Sequence, residues 1–338
     1  MKSLISLIAV ALLAGGAALR PALFQEKKDL TIINVSYDPT RELYKDLSEK
    51  FSKQSLAKNG QRIAVNSSHG GSGAQARAVL GGLKADVVTL ALASDIEALE
   101  DRGFLKPGWQ ARFPNNSSPY TSTIVLVVRK GNPKGVKGWD DLIRPDVTVI
   151  TPNPKTSGGA RWNFLAAWGH VTQNGGSEAK AVEFLKKLFE RVAVLDAGAR
   201  GSTTTFVQKK LGDVLIAWEN EAILALREEG GDPLTVVYPD QTILAEPPVA
   251  IVDKNVDAKG TRVAAEAFIQ YLYTDEAQEA VARWGYRPSS AAILEKHQDT
   301  LPPFKKLFTI REVAGSWREA QKKFFSEGGV FDQISQPR

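Results

Sequence analysis

Five short stretches place hydrogen-bond donors where an apolar strand gives way to a helix. They are SYDPT around Asp38, SHGGSG around Ser72, TSGGAR around Ser157, DAGARGST around Ala199 and IAWEN around Trp218. A helix start leaves up to four backbone N–H groups unpaired, pointing outward and carrying partial positive charge. Glycines let an anion approach that backbone closely. Gly158 and Gly159 therefore expose amides, and Ser157 adds a hydroxyl donor. Asp38 reads as an N-cap, with Pro39 at the first helical position, where its missing N–H costs nothing. The Trp218 indole N–H donates and cannot accept. Several such ends aimed at one point bind an anion without any lysine. Taken singly, each loop also fits ordinary helix capping, and Trp218 fits a core tryptophan. Four such loops at strand C-terminal ends, where open α/β sheets bind ligands, favour the anion site.

Other chemistries fit less of the chain. Gly71 to Ala76, GSGAQA, matches G-x-G-x-x-A after a strand, with Asp95 about twenty residues on, as in a dinucleotide-dependent oxidoreductase. That alternative leaves the other three loops unexplained. GGSGA lacks the last glycine of a nucleophile elbow, and His69, His170 and His297 have no triad context. His69, beside Gly70, reads as a loop or supporting residue. No metal-spaced cluster occurs, and GGSGAQAR lacks the lysine of a phosphate-binding NTPase loop. The reading is a binding protein, with no catalytic residues, metal or cofactor, and not an enzyme.

The elements that would position these loops alternate along the chain. LTIINVSY, QRIAVNSS and ADVVTLAL read as strands. Between them lie helices such as PTRELYKDLSEKF, whose Leu43, Leu47 and Phe51 share a stripe. SDIEALEDRGF reads as a helix capped by Ser94 or Asp95. This order predicts an α/β fold with mostly parallel, helix-covered sheets. The rhythm breaks near residues 119–125 and again near 243–249, where long extended stretches run. Two α/β lobes joined by two crossings follow: a first lobe from 29–120 and 247–338, and a second from 121–246.

The chain of 338 residues has no cysteine, which excludes disulfides, thiolate metal sites and thiol nucleophiles. Its net charge of +5 is dispersed, with no basic block of the kind that binds nucleic acid. Lys2, the apolar run Ser3 to Leu19 and the small residues after it read as a secretory signal over 1–22, cleaved after Ala18 or Ala22. The alternative is an uncleaved anchor, because the run reaches the short end of the roughly 17–25 residues that span a bilayer.

The motifs resemble one family throughout. NVSYDPTREL, SHGGSG, PYTSTIV, VITPNPKTSGGARWN, DAGARGST, GDVLIAWENEA and FDQIS are similar to the prokaryotic sulfate-binding protein family, the periplasmic components of sulfate/thiosulfate ABC transporters. The likeness covers nearly all the chain after residue 30; departures lie at the N-terminus and around Gly175. It implies the two-lobed type II periplasmic binding fold, a monomer, a periplasmic location and docking to membrane permease subunits. It implies sulfate or thiosulfate as ligand, held by the Asp38 amide, Ser72, the Ser157 hydroxyl, the Gly158, Gly159 and Ala199 amides, and the Trp218 indole. Arg161 and Arg200 would then be supporting or interlobe salt-bridge residues, since the family binds with uncharged groups. Selectivity follows: sulfate offers only acceptors at neutral pH, whereas phosphate keeps a proton that a donor-only site leaves unpaired. Burying that unpaired group costs roughly 1–3 kcal/mol.

Overall fold

The computed structural model describes residues 28–227 and 234–335. The expected signal at 1–22 lies outside the described residues. Among the described residues, no helix is long and apolar enough to cross a membrane.

Two sheets carry the fold, and each holds some of the donor loops at its strand ends. The first has the order β10-β3-β1-β2, with β1 at Leu30–Tyr37, β2 at Ile63–Gly70, β3 at Val87–Thr89 and β10 at Val249–Ile251. β1 runs parallel to both β2 and β3, and β10 runs antiparallel to β3. The helix Arg41–Asn59 lies against β2. Leu43, Leu47 and Phe51 are all buried, as their spacing of four requires of one face turned inward. Each such side chain contributes about 1.5–3 kcal/mol when fully buried.

The second sheet has the order β12-β9-β4-β7-β5-β6. Its strands are β4 Tyr120–Arg129, β5 Val149–Pro152, β6 Val192–Asp196, β7 Val214–Trp218, β9 Gln241–Ala245 and β12 Lys306–Phe308. β8 (Leu234–Val237) and β11 (Arg287–Pro288) pair with β4. β5 is parallel to β6 and β7, so the loops after these three strands open toward one end. The expected crossings run side by side: Ser122 pairs with Ala245 and Thr123 with Leu244.

A third crossing was not expected. The sequence reading gave all of 247–338 to the first lobe. Instead, β11 joins β4 and β12 joins β9, so the chain returns to the second sheet at Arg287. The C-terminal segment then packs on both lobes: Arg318 pairs with Asp101 of the first, and a group of phenylalanines meets the second. Phe324, Phe325 and Phe331 surround Phe164, with ring centroids 5.8, 5.3 and 6.1 Å away. The joining strands span two and three residues, too short for a periodic pattern to announce them.

Candidate anion-binding site

The helix mouths are built more variously than their sequences suggest. Ser157 caps the helix Gly158–Thr172, its Oγ accepting the Ala160 N–H at 3.2 Å. Because Oγ accepts in that cap, its hydroxyl proton stays available, while the Ser157 amide is taken up by the Asn153 carbonyl at 2.9 Å. Gly158 and Gly159 are the first two helical residues, whose amides have no intrahelical acceptor. Ala199 opens the helix Ala199–Val207 in the same way, and Ser72 opens the helix Ser72–Leu80.

Asp38 departs from expectation. It is not the N-cap of the helix Arg41–Asn59; it begins a 3-10 turn, Asp38–Thr40, with Pro39 second. Thr40 tightens that turn by donating to the Tyr37 carbonyl at 2.6 Å. The amide of Asp38 opens that turn, and Pro39 after it has no N–H to add. The Asp38 carboxylate faces Arg41 at 3.6 Å and reaches across to Gly198. A Cβ on Gly198 would lie 2.7 Å from Asp38 Oδ2, so a larger residue there would make the carboxylate shift. Burial pushes the Asp38 carboxyl up, against the pull of Arg41 and Arg200.

Asp95 also departs from its expected capping role. The helix Ala93–Glu100 is preceded by Leu92 and has no side-chain cap. The Asp95 carboxylate instead accepts the Ser72 hydroxyl at 2.5 Å, while Ser72 Oγ accepts the Ala91 N–H at 3.0 Å. The hydroxyl of Ser72 is thus committed within its own lobe, and its backbone amide is the donor left for a ligand.

Asp38, Ser72, Ser157, Gly158, Gly159 and Ala199 line one cavity of about 10 Å³, together with Tyr37, Pro39, Gly70 and Gly71. Larger hollows, about 510 Å³ beside Trp139 and about 710 Å³ beside Arg41, contain none of these six positions. The helical starts at Asp38, Ser72, Gly158 and Ala199 therefore converge on the small cavity. Trp218 does not itself line it. The buried indole stands behind Gly159, its Nε1 donating to the Gly159 carbonyl at 3.4 Å. That is long for an N–H···O bond and leaves the donor weakly held. A Cβ on Gly159 would sit 3.0 Å from that nitrogen.

The cavity lies between lobes that are closed on each other. A Cβ on Gly158 would lie 2.8 Å from Ala91 Cβ and 2.9 Å from Ser72 Cβ, both in the first lobe. A Cβ on Gly71 would lie 2.6 Å from the Thr156 carbonyl. Asn220, next after Glu219 beyond Trp218, donates to the Pro39 carbonyl at 3.1 Å. At this seam Arg161 and Arg200 are already committed. Arg161 donates to the Pro154 carbonyl at 2.9 Å and faces Asp95 at 3.7 Å. Arg200 forks onto Glu42 of the first lobe at 3.0 and 2.9 Å and onto Glu221 of the second at 3.2 and 3.0 Å. Burial pushes the Glu42 carboxyl up, yet the Arg200 fork brings it net below the usual range. His69 ends up on β2 beside Gly70, and its Nδ1 is buried without a partner. Burial, with Arg41 nearby, holds its pKa below the ordinary value, so it is neutral at pH 7.

The sequence reading missed Asp95, Glu42, Glu221 and Asn220 as parts of this assembly. The sequence offers Asp95 only as a helix cap or as the acidic residue of a dinucleotide motif. Among the described residues, no group of three or more His, Asp or Glu side chains could hold a metal ion.

Residues 32–287 match the family described as bacterial extracellular solute-binding protein. The chain belongs to this family. It is 55% identical to the sulfate-binding protein of Salmonella typhimurium over 309 residues, covering 91% of this chain and 94% of that one. It is 49% identical to the thiosulfate-binding protein of Pseudomonas aeruginosa over 332 residues, covering 98% and 99%. The solved structure of the sulfate-binding protein SubI from Mycobacterium tuberculosis superposes with a TM-score of 0.79 at 33% identity, covering 88% and 100%. These family members are binding proteins and not enzymes. A dinucleotide at Gly71 to Ala76 finds no support: those residues abut Thr156 and Gly158 across the closed seam.

Proposed function

We propose that the protein captures sulfate between its lobes and delivers it to the permease subunits of an ABC transporter for import. One observation carries the reading: amides from helical starts of both lobes converge on a single small cavity, and Arg161 and Arg200 are already paired with carboxylates. Asp38 and Ser72 supply backbone N–H groups from the first lobe. Ser157, Gly158, Gly159 and Ala199 supply donors from the second, and Trp218 supplies its indole. Ligand then favours the closed state, because only there do both sets of donors reach it. The hinge is the paired crossing of β4 and β9, and the chain acts as a monomer. Export is by the N-terminal signal over 1–22, which places the protein in the periplasm.

Thiosulfate is a second reading, supported by the 49% identity to a thiosulfate-binding protein. It has the same charge and likewise offers acceptors.

These donors do not titrate near neutrality, and His69 is held neutral. Sulfate affinity is therefore expected to stay within about threefold from pH 7 to pH 9, measured calorimetrically; a tenfold change in that window would reveal a titrating ligand that this site lacks.

A further inference from the structure

We propose that Trp162 is the positioning residue that locks the closed cleft, through its indole N–H and the Ala91 carbonyl of the opposite lobe. This rests on the sulfate-binding reading of the same cleft. Trp162 lies on the helix that Gly158 and Gly159 open, and it is fully buried. Its Nε1 donates to the Ala91 carbonyl at 2.9 Å, a bond of ordinary, unstrained length between lobes.

Two other indoles hold the ring, Trp218 from its own lobe and Trp317 from the C-terminal segment, whose Arg318 is paired with Asp101 of the first lobe. Trp317 meets it edge-on at 4.5 Å and Trp218 at 6.4 Å. These edge contacts aim the indole N–H at Ala91 in the closed cleft. On the other side, the peptide it grips is already fixed, since the Ala91 N–H donates to Ser72 Oγ at 3.0 Å. Ser72 in turn donates to Asp95, which faces Arg161. The grip on Ala91 therefore also places Ser72, whose amide heads the first-lobe helix at the cavity. When the lobes part, the indole N–H and the Ala91 carbonyl both lose their partner. In the closed state a missing indole N–H leaves that carbonyl buried and unpaired, a penalty absent when it faces water. Unlike the Arg200 fork, this link carries no net charge.

The test compares sulfate binding kinetics of wild type, Trp162→Phe and Trp162→3-benzothienylalanine, the last keeping the bicyclic ring but lacking the N–H. We expect both variants to release sulfate about tenfold faster, with association changed less than twofold. Wild-type kinetics in the benzothienyl variant, alongside tight wild-type binding, would overturn the lock and leave Trp162 a packing residue. If wild type itself ignores sulfate, the functional reading fails instead. The lock is then tested on ligand-free protein by small-angle scattering: a larger radius of gyration in the benzothienyl variant supports it, and an unchanged radius overturns it.

Discussion

Gly158→Ala is expected to weaken sulfate binding by roughly a hundredfold or more while leaving the ligand-free protein as stable as wild type. The new methyl would stand 2.8 Å from Ala91 Cβ and 2.9 Å from Ser72 Cβ, closer than real Cβ contacts come. Neither neighbour is the loose end of a long side chain. Ser72 begins a helix and is bonded to Asp95 and to the Ala91 amide. The strain is met by holding the lobes apart. A separation of even an ångström stretches donors that bind at about 2.9 Å past useful range. Each hydrogen bond to a charged group contributes about 1.5–3 kcal/mol, so losing two costs about 3–6 kcal/mol, or a hundred- to ten-thousandfold in Kd. Nothing comparable happens with the lobes apart. Gly158 does not have a positive φ, so alanine fits its backbone. Reduced unfolded-state freedom even favours alanine slightly. Calorimetric affinity together with the ligand-free Tm checks both halves, and full affinity in the variant would mean that the cleft does not close as described.

Trp218→Phe is expected to weaken sulfate binding by about ten- to a hundredfold, the value of one hydrogen bond to a charged acceptor. The indole N–H now rests on the Gly159 carbonyl at 3.4 Å, a bond weak enough to give up when an anion arrives. Phenylalanine keeps an aromatic ring near Tyr37, whose centroid is 5.4 Å from that of Trp218, but has no donor. Some loss of Tm accompanies the smaller side chain, because Trp218 is buried. The affinity loss must therefore be read in protein that is still folded at the assay temperature. Unchanged affinity would remove the indole from the site.

Much of this site was legible in the chain because its donors are backbone groups of local motifs. TSGGAR announces a capped helix mouth with two bare amides, and the structure places Ser157, Gly158 and Gly159 there. The geometry inside each motif was less legible. Pro39 and Thr40 draw Asp38 into a 3-10 turn, and Asp95 turns from its helix to Ser72; both outcomes depend on neighbours that a window of sequence does not show. For long-range pairs the family likeness points to Arg200 as an interlobe salt-bridge residue, but nothing in the sequence points to its partners. Arg200 and Glu42 stand 158 positions apart and meet only because the lobes close. The two- and three-residue strands that return the C-terminal segment to the second sheet are likewise set by tertiary packing, not by any pattern of their own.

The most direct test of a donor-only interlobe site is calorimetry on purified protein from residue 29 onward, dialysed free of sulfate and titrated at neutral pH with sulfate and then phosphate. One-to-one binding of sulfate is expected, with phosphate weaker by at least about tenfold, because its remaining proton would be buried without an acceptor. Equal or tighter binding of phosphate would contradict the account, since an acceptor such as the Asp38 carboxylate would then have to face the anion.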